Sequence, residues 1–113
     1  MTFSNSAQSS ISIIVPGLNE AGNIGKAVDV IIVMLQKIGI EDYELLLFND
    51  GSADDTGKII DKLSAENQKI KAFHNKRPMG VGYNFRIGAD FASKDYIGWF
   101  PGDNETLSET MIN

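Results

Sequence analysis

Four times along the chain, a short run of apolar, β-branched or aromatic residues stops abruptly in a polar turn. The runs are Ile11-Ser12-Ile13-Ile14-Val15, Tyr43 to Phe48, Ile70-Lys71-Ala72-Phe73-His74 and Tyr96-Ile97-Gly98-Trp99-Phe100. Runs of this length and composition read as strands. Leu45-Leu46-Leu47-Phe48 is apolar without interruption, which suits a parallel strand covered on both faces. Helical spacing fills the gaps. Ile24, Val28, Ile31, Leu35 and Ile38 recur every three or four residues and mark one helix face that Gly39 ends. Ser52, Asp54 and Asp55 open a second helix with Ile59, Ile60 and Leu63 on one side. A third runs to about Ser93, with Phe85, Gly88, Phe91 and Ala92 as its packing residues. The order β-α-β-α-β-α-β calls for an α/β, three-layer fold with a mainly parallel sheet and right-handed crossovers.

The 113 residues suffice for one domain, and no repeat or linker divides them. Residues 1–10, rich in Ser, Asn and Gln, read as a disordered tail, with the folded domain at 11–113. A net charge of -5 argues against nucleic acid, which needs a basic face. There is no cysteine, which fits a reducing, cytoplasmic setting. The longest apolar run, Val30 to Leu35, is far short of the ~20 residues that cross a bilayer, so a membrane enters only through a longer parent chain.

Parallel strands send all four strand-to-helix loops to one sheet edge, where ligands of open α/β sheets bind. Those loops carry Asn19, Glu20, Asp50, Lys76, Arg77, Gly80, Gly82, Asp103 and Glu105. Asn19 is placed to cap the first helix, with Glu20 in its first turn. Asn49-Asp50-Gly51-Ser52, taken alone, is explained more simply by ordinary turn chemistry, and it is the repetition of the pattern along the chain that points to a site. Asp54 and Asp55 are explained by the helix dipole, and His74, the one histidine, by packing or exposure. Carboxylates can accept from a base N–H or ribose hydroxyls, and glycines let backbone N–H groups approach phosphate. One like-charge pair at ~4 Å costs roughly 4 kcal/mol at an effective dielectric near 20. Asp103 beside phosphate therefore implies an intervening Mg²⁺ or Mn²⁺. Lys76, Arg77 and Arg86 are further sources of positive charge. There is no G-x-G-x-x-G after the first strand and no P-loop.

Four short motifs, Pro16-x-x-Asn19-Glu20, Asn49-Asp50-Gly51-Ser52, the spaced Gly80, Gly82, Gly88 and Ala92, and Pro101-Gly102-Asp103, succeed one another across the chain. In this order the sequence resembles the donor-binding half of a family-2 glycosyltransferase with the GT-A fold, nearest in flavour to the dolichyl-phosphate mannose synthase-like branch. The resemblance implies a Rossmann-like half that binds a nucleotide-sugar donor carrying UDP or GDP. Pro16, Asn19, Glu20, Asp50, Gly80 and Gly82 would contact the nucleotide, and Asp103 the divalent metal. The reaction implied is inverting transfer to a sugar hydroxyl or a lipid phosphate. Asn49 stands where the family often has Asp, Pro78 where it often has Asn, and Pro101 replaces the first acid of D-x-D. The acceptor half and the catalytic base are expected beyond Asn113, making this a truncated domain. Two other readings stand beside it. One is a nucleotide-binding fragment without activity of its own. The other is a phospho-receiver module with Asp50 as acceptor, although only Glu20 supplies a second acid nearby. Apolar surface left by truncation predicts self-association, with the very apolar first helix as its surface.

Overall fold

The computed structural model describes residues 9–102. It contains β1 (Ser10–Gly17), α1 (Ile24–Ile38), β2 (Asp42–Asp50), α2 (Thr56–Glu66), β3 (Ile70–Asn75), α3 (Val81–Phe91) and β4 (Tyr96–Trp99). All strand pairs are parallel, in the order β3-β2-β1-β4. The expected α/β three-layer arrangement is therefore what forms.

Strand alternation explains the layers. Ile13, Val15, Leu45 and Leu47 point to one face and pack with Ile24, Val28, Ile31, Leu35 and Ile60 of α1 and α2. Ile14, Leu46 and Phe48 point to the other face, toward Phe73, Ile87 and Ala92. With both faces covered, the unbroken Leu45–Phe48 run is buried throughout. Gly88 lets α3 lie close on the sheet, since a Cβ there would come 2.7 Å from Ile14 Cδ1 and Cγ1.

Several expectations shift. β1 does not end with the apolar run at Val15; Pro16 still pairs in register with Phe48. Its carbonyl accepts from Gly102 N–H at 2.9 Å. A strand residue's N–H and C=O point the same way, so the missing proline N–H faces the β4 side and leaves the ladder with β2 intact. Asn19 does not cap α1, which starts at Ile24 after Asn23. Gly39, at φ 80, does end that helix and donates to Gln36 and Leu35 carbonyls. On α3, the buried residues are Asn84 and Gly88, whereas Phe85 and Phe91 are exposed. Phe91 still meets Phe73 in a tilted contact at 5.3 Å.

At the amino end of the sheet a polar cluster fastens α3. Glu44 is 3% exposed and accepts from Ser12 Oγ at 2.6 Å, Lys71 Nζ at 2.7 Å, and Ser93 N and Oγ at 2.8 and 2.9 Å. Burial alone would raise its pKa, but Lys71, Ser12 and Ser93 outweigh it and hold the carboxyl at about 2.

Candidate functional site

In the order β3-β2-β1-β4, the chain steps outward from β1 to β3 and then returns to the opposite side of β1, so the switch point lies between β1 and β4. In open α/β sheets a crevice opens there, outside the carboxyl ends. Three loops at that edge are cross-linked by their own polar groups.

The first link joins the β1–α1 and β2–α2 loops. Asn19 N–H donates to Ser52 Oγ at 3.0 Å, and Ala53 N–H donates to Asn19 Oδ1 at 2.8 Å. Glu20 N–H donates to Thr56 Oγ1 at 2.9 Å, and Ala21 N–H to Asp54 Oδ2 at 3.2 Å. The buried Thr56 hydroxyl in turn donates to Asp54 Oδ1. Asn19 has φ 55, a left-handed conformation that Asn tolerates better than most residues. Its side chain thus ties two loops together instead of capping α1. Glu20 Oε1 accepts from Asn23 Nδ2 at 3.1 Å, which orients the carboxylate at the rim.

The second link joins β2 to the loop before α3. Asp50 is 5% exposed, and its Oδ1 accepts from Asn75 Nδ2 at 2.9 Å and Met79 N–H at 2.8 Å. Its Oδ2 accepts from Gly80 N–H at 3.0 Å. Asn75 Nδ2 also reaches Asn84 Oδ1 at 2.6 Å. Asn84 Nδ2 makes no hydrogen bond of normal geometry among the described residues, yet its dipole still favours the Asp50 charge. Burial would raise the Asp50 carboxyl, but Met79, Asn75 and Gly80 more than offset it, so its pKa lies below the ordinary carboxylate value. Gly51 (φ +73) makes the same junction sterically, because a Cβ there would meet Pro78 N at 2.5 Å. Lys76 and Arg77 are exposed on the loop so held.

Gly80 has φ +96 and open space around it, so its backbone conformation, not crowding, requires glycine. Gly82 has neither constraint. Asp103 and Glu105 lie outside the described residues. The residue before Asp103 is fixed: Gly102 is buried, and a Cβ there would come 2.8 Å from both Pro16 O and Ile24 Cδ1. Among the described residues no group of three or more His, Cys, Asp or Glu could hold a metal. Glu20 and Asp50 alone do not make a divalent-ion site. An apolar groove of about 570 Å³ lies elsewhere, between α1 and β4, with Ile11, Ile13, Leu35 and Trp99 in its lining.

Residues 12–111 match the description Glycosyl transferase family 2. The chain belongs to that family. It is 31% identical over 102 residues to the GalNAc(5)-diNAcBac-PP-undecaprenol beta-1,3-glucosyltransferase of Campylobacter jejuni, covering 89% of this chain and 32% of that protein. It is 29% identical over 97 residues to glycosyltransferase AglD of Haloferax volcanii, covering 85% of this chain and 16% of that one. The chain thus spans about a third or less of these family members' length. Among solved structures, Staphylococcus aureus TarS 1-349 in complex with UDP-GlcNAc superposes with a TM-score of 0.68 at 20% identity, covering 91% of this chain and 30% of that one. Mannosyltransferase PcManGT from Pyrobaculum calidifontis, in complex with GDP-Man and Mn²⁺, does so at 0.70 and 17% identity, covering 89% and 31%. The family-2 chain has the GT-A glycosyltransferase fold, of which it forms the Rossmann-like part.

Sequence reasoning missed Thr56, Asn75 and Asn84. For Asn84 a signal existed: it stands four residues before Gly88, on the same helix face. Thr56 and Asn75 carry no local signal, and only the fold shows what they hold.

Proposed function

We propose that the chain is the donor-binding part of an inverting glycosyltransferase that takes a UDP- or GDP-sugar. Its acceptor would be a polyprenyl phosphate or a glycan hydroxyl. The lipid phosphate draws on the resemblance to the dolichyl-phosphate mannose synthase-like branch. The observation that carries the reading is the lacing of Asn19, Ser52, Asp50 and Gly80 into a preset rim at the carboxyl edge, in a family-2 chain. Relatives of the same fold in complex with UDP-GlcNAc and GDP-Man support the ligand class.

Pro16, Asn19 and Glu20 would lie against the nucleoside. Asp50 Oδ2, with one protein donor, keeps a lone pair for a base or ribose donor. Gly80 and Gly82 would let the backbone at the start of α3 approach the ligand. Asp103 would hold Mg²⁺ or Mn²⁺ against the diphosphate; the Mn²⁺ in the mannosyltransferase complex supports that choice. When bound, the ion would neutralise the charge of the departing nucleoside diphosphate. The base would come from sequence beyond Asn113. The absence of cysteine supports a cytoplasmic setting, and among the described residues no helix is long and apolar enough to cross a membrane.

Titration calorimetry with UDP- and GDP-linked sugars, with and without Mn²⁺, tests the reading. Asp103→Ala should remove the metal dependence and Glu20→Gln should weaken metal-free nucleotide binding. Equal binding by both variants and the parent would refute the site. A second reading, a nucleotide-binding unit without activity of its own, is favoured by the short span relative to its relatives. Release of nucleoside diphosphate on incubation with donor and acceptor would exclude it.

A further inference from the structure

His74 sits on the edge strand β3 between two partners. Its Nε2 lies 2.7 Å from Asp61 Oδ1 of α2, and its Nδ1 lies 3.1 Å from Asn49 Nδ2 of β2. The orientation of the Asn49 amide is fixed independently, because its Oδ1 accepts from Ser52 N–H at 3.0 Å. Nδ2 is therefore the atom facing His74, and an amide nitrogen can only donate. Nδ1 must be the acceptor, which makes the ring neutral with its proton on Nε2, donated to Asp61. Gly57 closes the site from α2: a Cβ there would come 2.7 Å from Asn49 Nδ2 and 3.5 Å from the imidazole. On that side the α2 backbone lies close to the amide, while the imidazole itself is 40% exposed.

A hydrogen-bond chain thus runs from the surface to the crevice: Asp61, His74, Asn49, Ser52 and Asn19. Protonating the ring puts N–H on Nδ1, facing the N–H of Asn49. Turning the amide over would satisfy His74 but set Nδ2 against Ser52 N–H. Either way one link breaks. Asp61 is the charged group in contact with the ring among the described residues; β2 presents only the uncharged Asn49.

We propose that His74 is a positioning residue: its neutral Nε2–H form holds the β2–α2 turn, through Asn49 and Ser52, in the shape that presents Asn19, so nucleotide affinity falls when the ring takes up a proton. The affinity part rests on the proposed function; the effect on the turn does not.

The test uses the ¹⁵N-labelled chain, in which His74 is the one histidine, between pH 8 and 5, the range in which imidazoles titrate. Ring ¹⁵N shifts should show an unprotonated Nδ1 at pH 8. Hydrogen exchange at Ser52 N–H should quicken in step with protonation of the ring. With UDP and GDP as probes, the dissociation constant should rise about three- to tenfold on acidification, the factor carried by one net hydrogen bond. His74→Asn supplies an acceptor oxygen in place of Nδ1 and takes no proton. Its profile should lack that rise, and comparing the two chains cancels titration of the nucleotide's own phosphate. A proton on Nδ1 at pH 8, a Ser52 amide indifferent to the ring, or matching profiles in the two chains would overturn the proposal. Failure of both nucleotides to bind at every pH would count against the proposed function, while the ring and amide signals still decide the latch.

Discussion

Ser12 and Glu44 meet across adjacent parallel strands as a buried hydroxyl–carboxylate pair, 2.6 Å apart and in register. The folded-state pKa of Glu44 is lowered from 4.5 to about 2. A depressed carboxyl stabilises the fold above its unfolded pKa, and that stability is lost as pH falls toward the folded value. The contribution is about 2 to 3 kcal/mol once the exposure of Lys71 is allowed for. Glu44→Gln should therefore be less stable than the parent by that amount at pH 7. The difference should close between pH 4.5 and about 2. Urea unfolding monitored by circular dichroism across that window measures it.

Gly51 and Gly80 both have positive φ but differ in their surroundings. Gly80→Ala should cost about 1 to 2 kcal/mol, from backbone conformation alone. Gly51→Ala drives a methyl into the Arg77–Pro78 backbone as well and should cost about 3 kcal/mol or more. Thermal melts of the two variants should rank them in that order.

Asp50 anchors the loop before α3 through Met79 and Gly80. Asp50→Asn keeps one acceptor oxygen and should lose about 1 to 3 kcal/mol, with faster hydrogen exchange at the Met79 and Gly80 amides. Because the Asp50 pKa is lowered, the parent should lose this anchor on acidification below the ordinary carboxylate range, whereas the variant's amide exchange should not respond there. Exchange mass spectrometry at pH 7 and in a descending series of pH values below the ordinary carboxylate range, corrected for intrinsic rates, separates the two.

Gly88→Ala gains helix propensity of about 1 kcal/mol but presses on Ile14, and overpacking of this kind costs about 1 to 3 kcal/mol. Ile14→Ala empties the same space at a cost of about 2 to 5 kcal/mol. Combined, the two should be non-additive, the double variant being more stable than the separate losses imply by about 1 kcal/mol or more. A double-mutant cycle of unfolding free energies checks this.

The strands and α1 were legible because each rests on a local pattern: Ile24, Val28, Ile31 and Leu35 are all buried on one face, and Gly39 takes the left-handed turn that ends the helix. The crevice was legible in outline, because parallel topology alone sends Asn19, Glu20, Asp50 and Gly80 to one edge. What each polar group holds was not. Asn19 read as a cap because Asn is a common capping residue ahead of a helix, but its partners lie in another loop, on Ser52 and Ala53. Nothing local marks Glu44 as an anchor; Ser12, Lys71 and Ser93 converge on it only once three strands and α3 are assembled. Phe85 fits the spacing of a packing residue, yet Asn84 and Gly88 take the sheet side of α3.

The seating of β1 between β2 and β4 also sets the timetable of synthesis. Asp95 N–H donates to Ser10 Oγ across 85 residues of chain. At roughly 5 to 20 residues per second, a ribosome needs about 4 to 17 seconds to deliver β4 after β1. Through that interval one margin of β1, apolar and unpaired, is open to any extended neighbour, so the nascent chain is most vulnerable to mispairing there until β4 arrives.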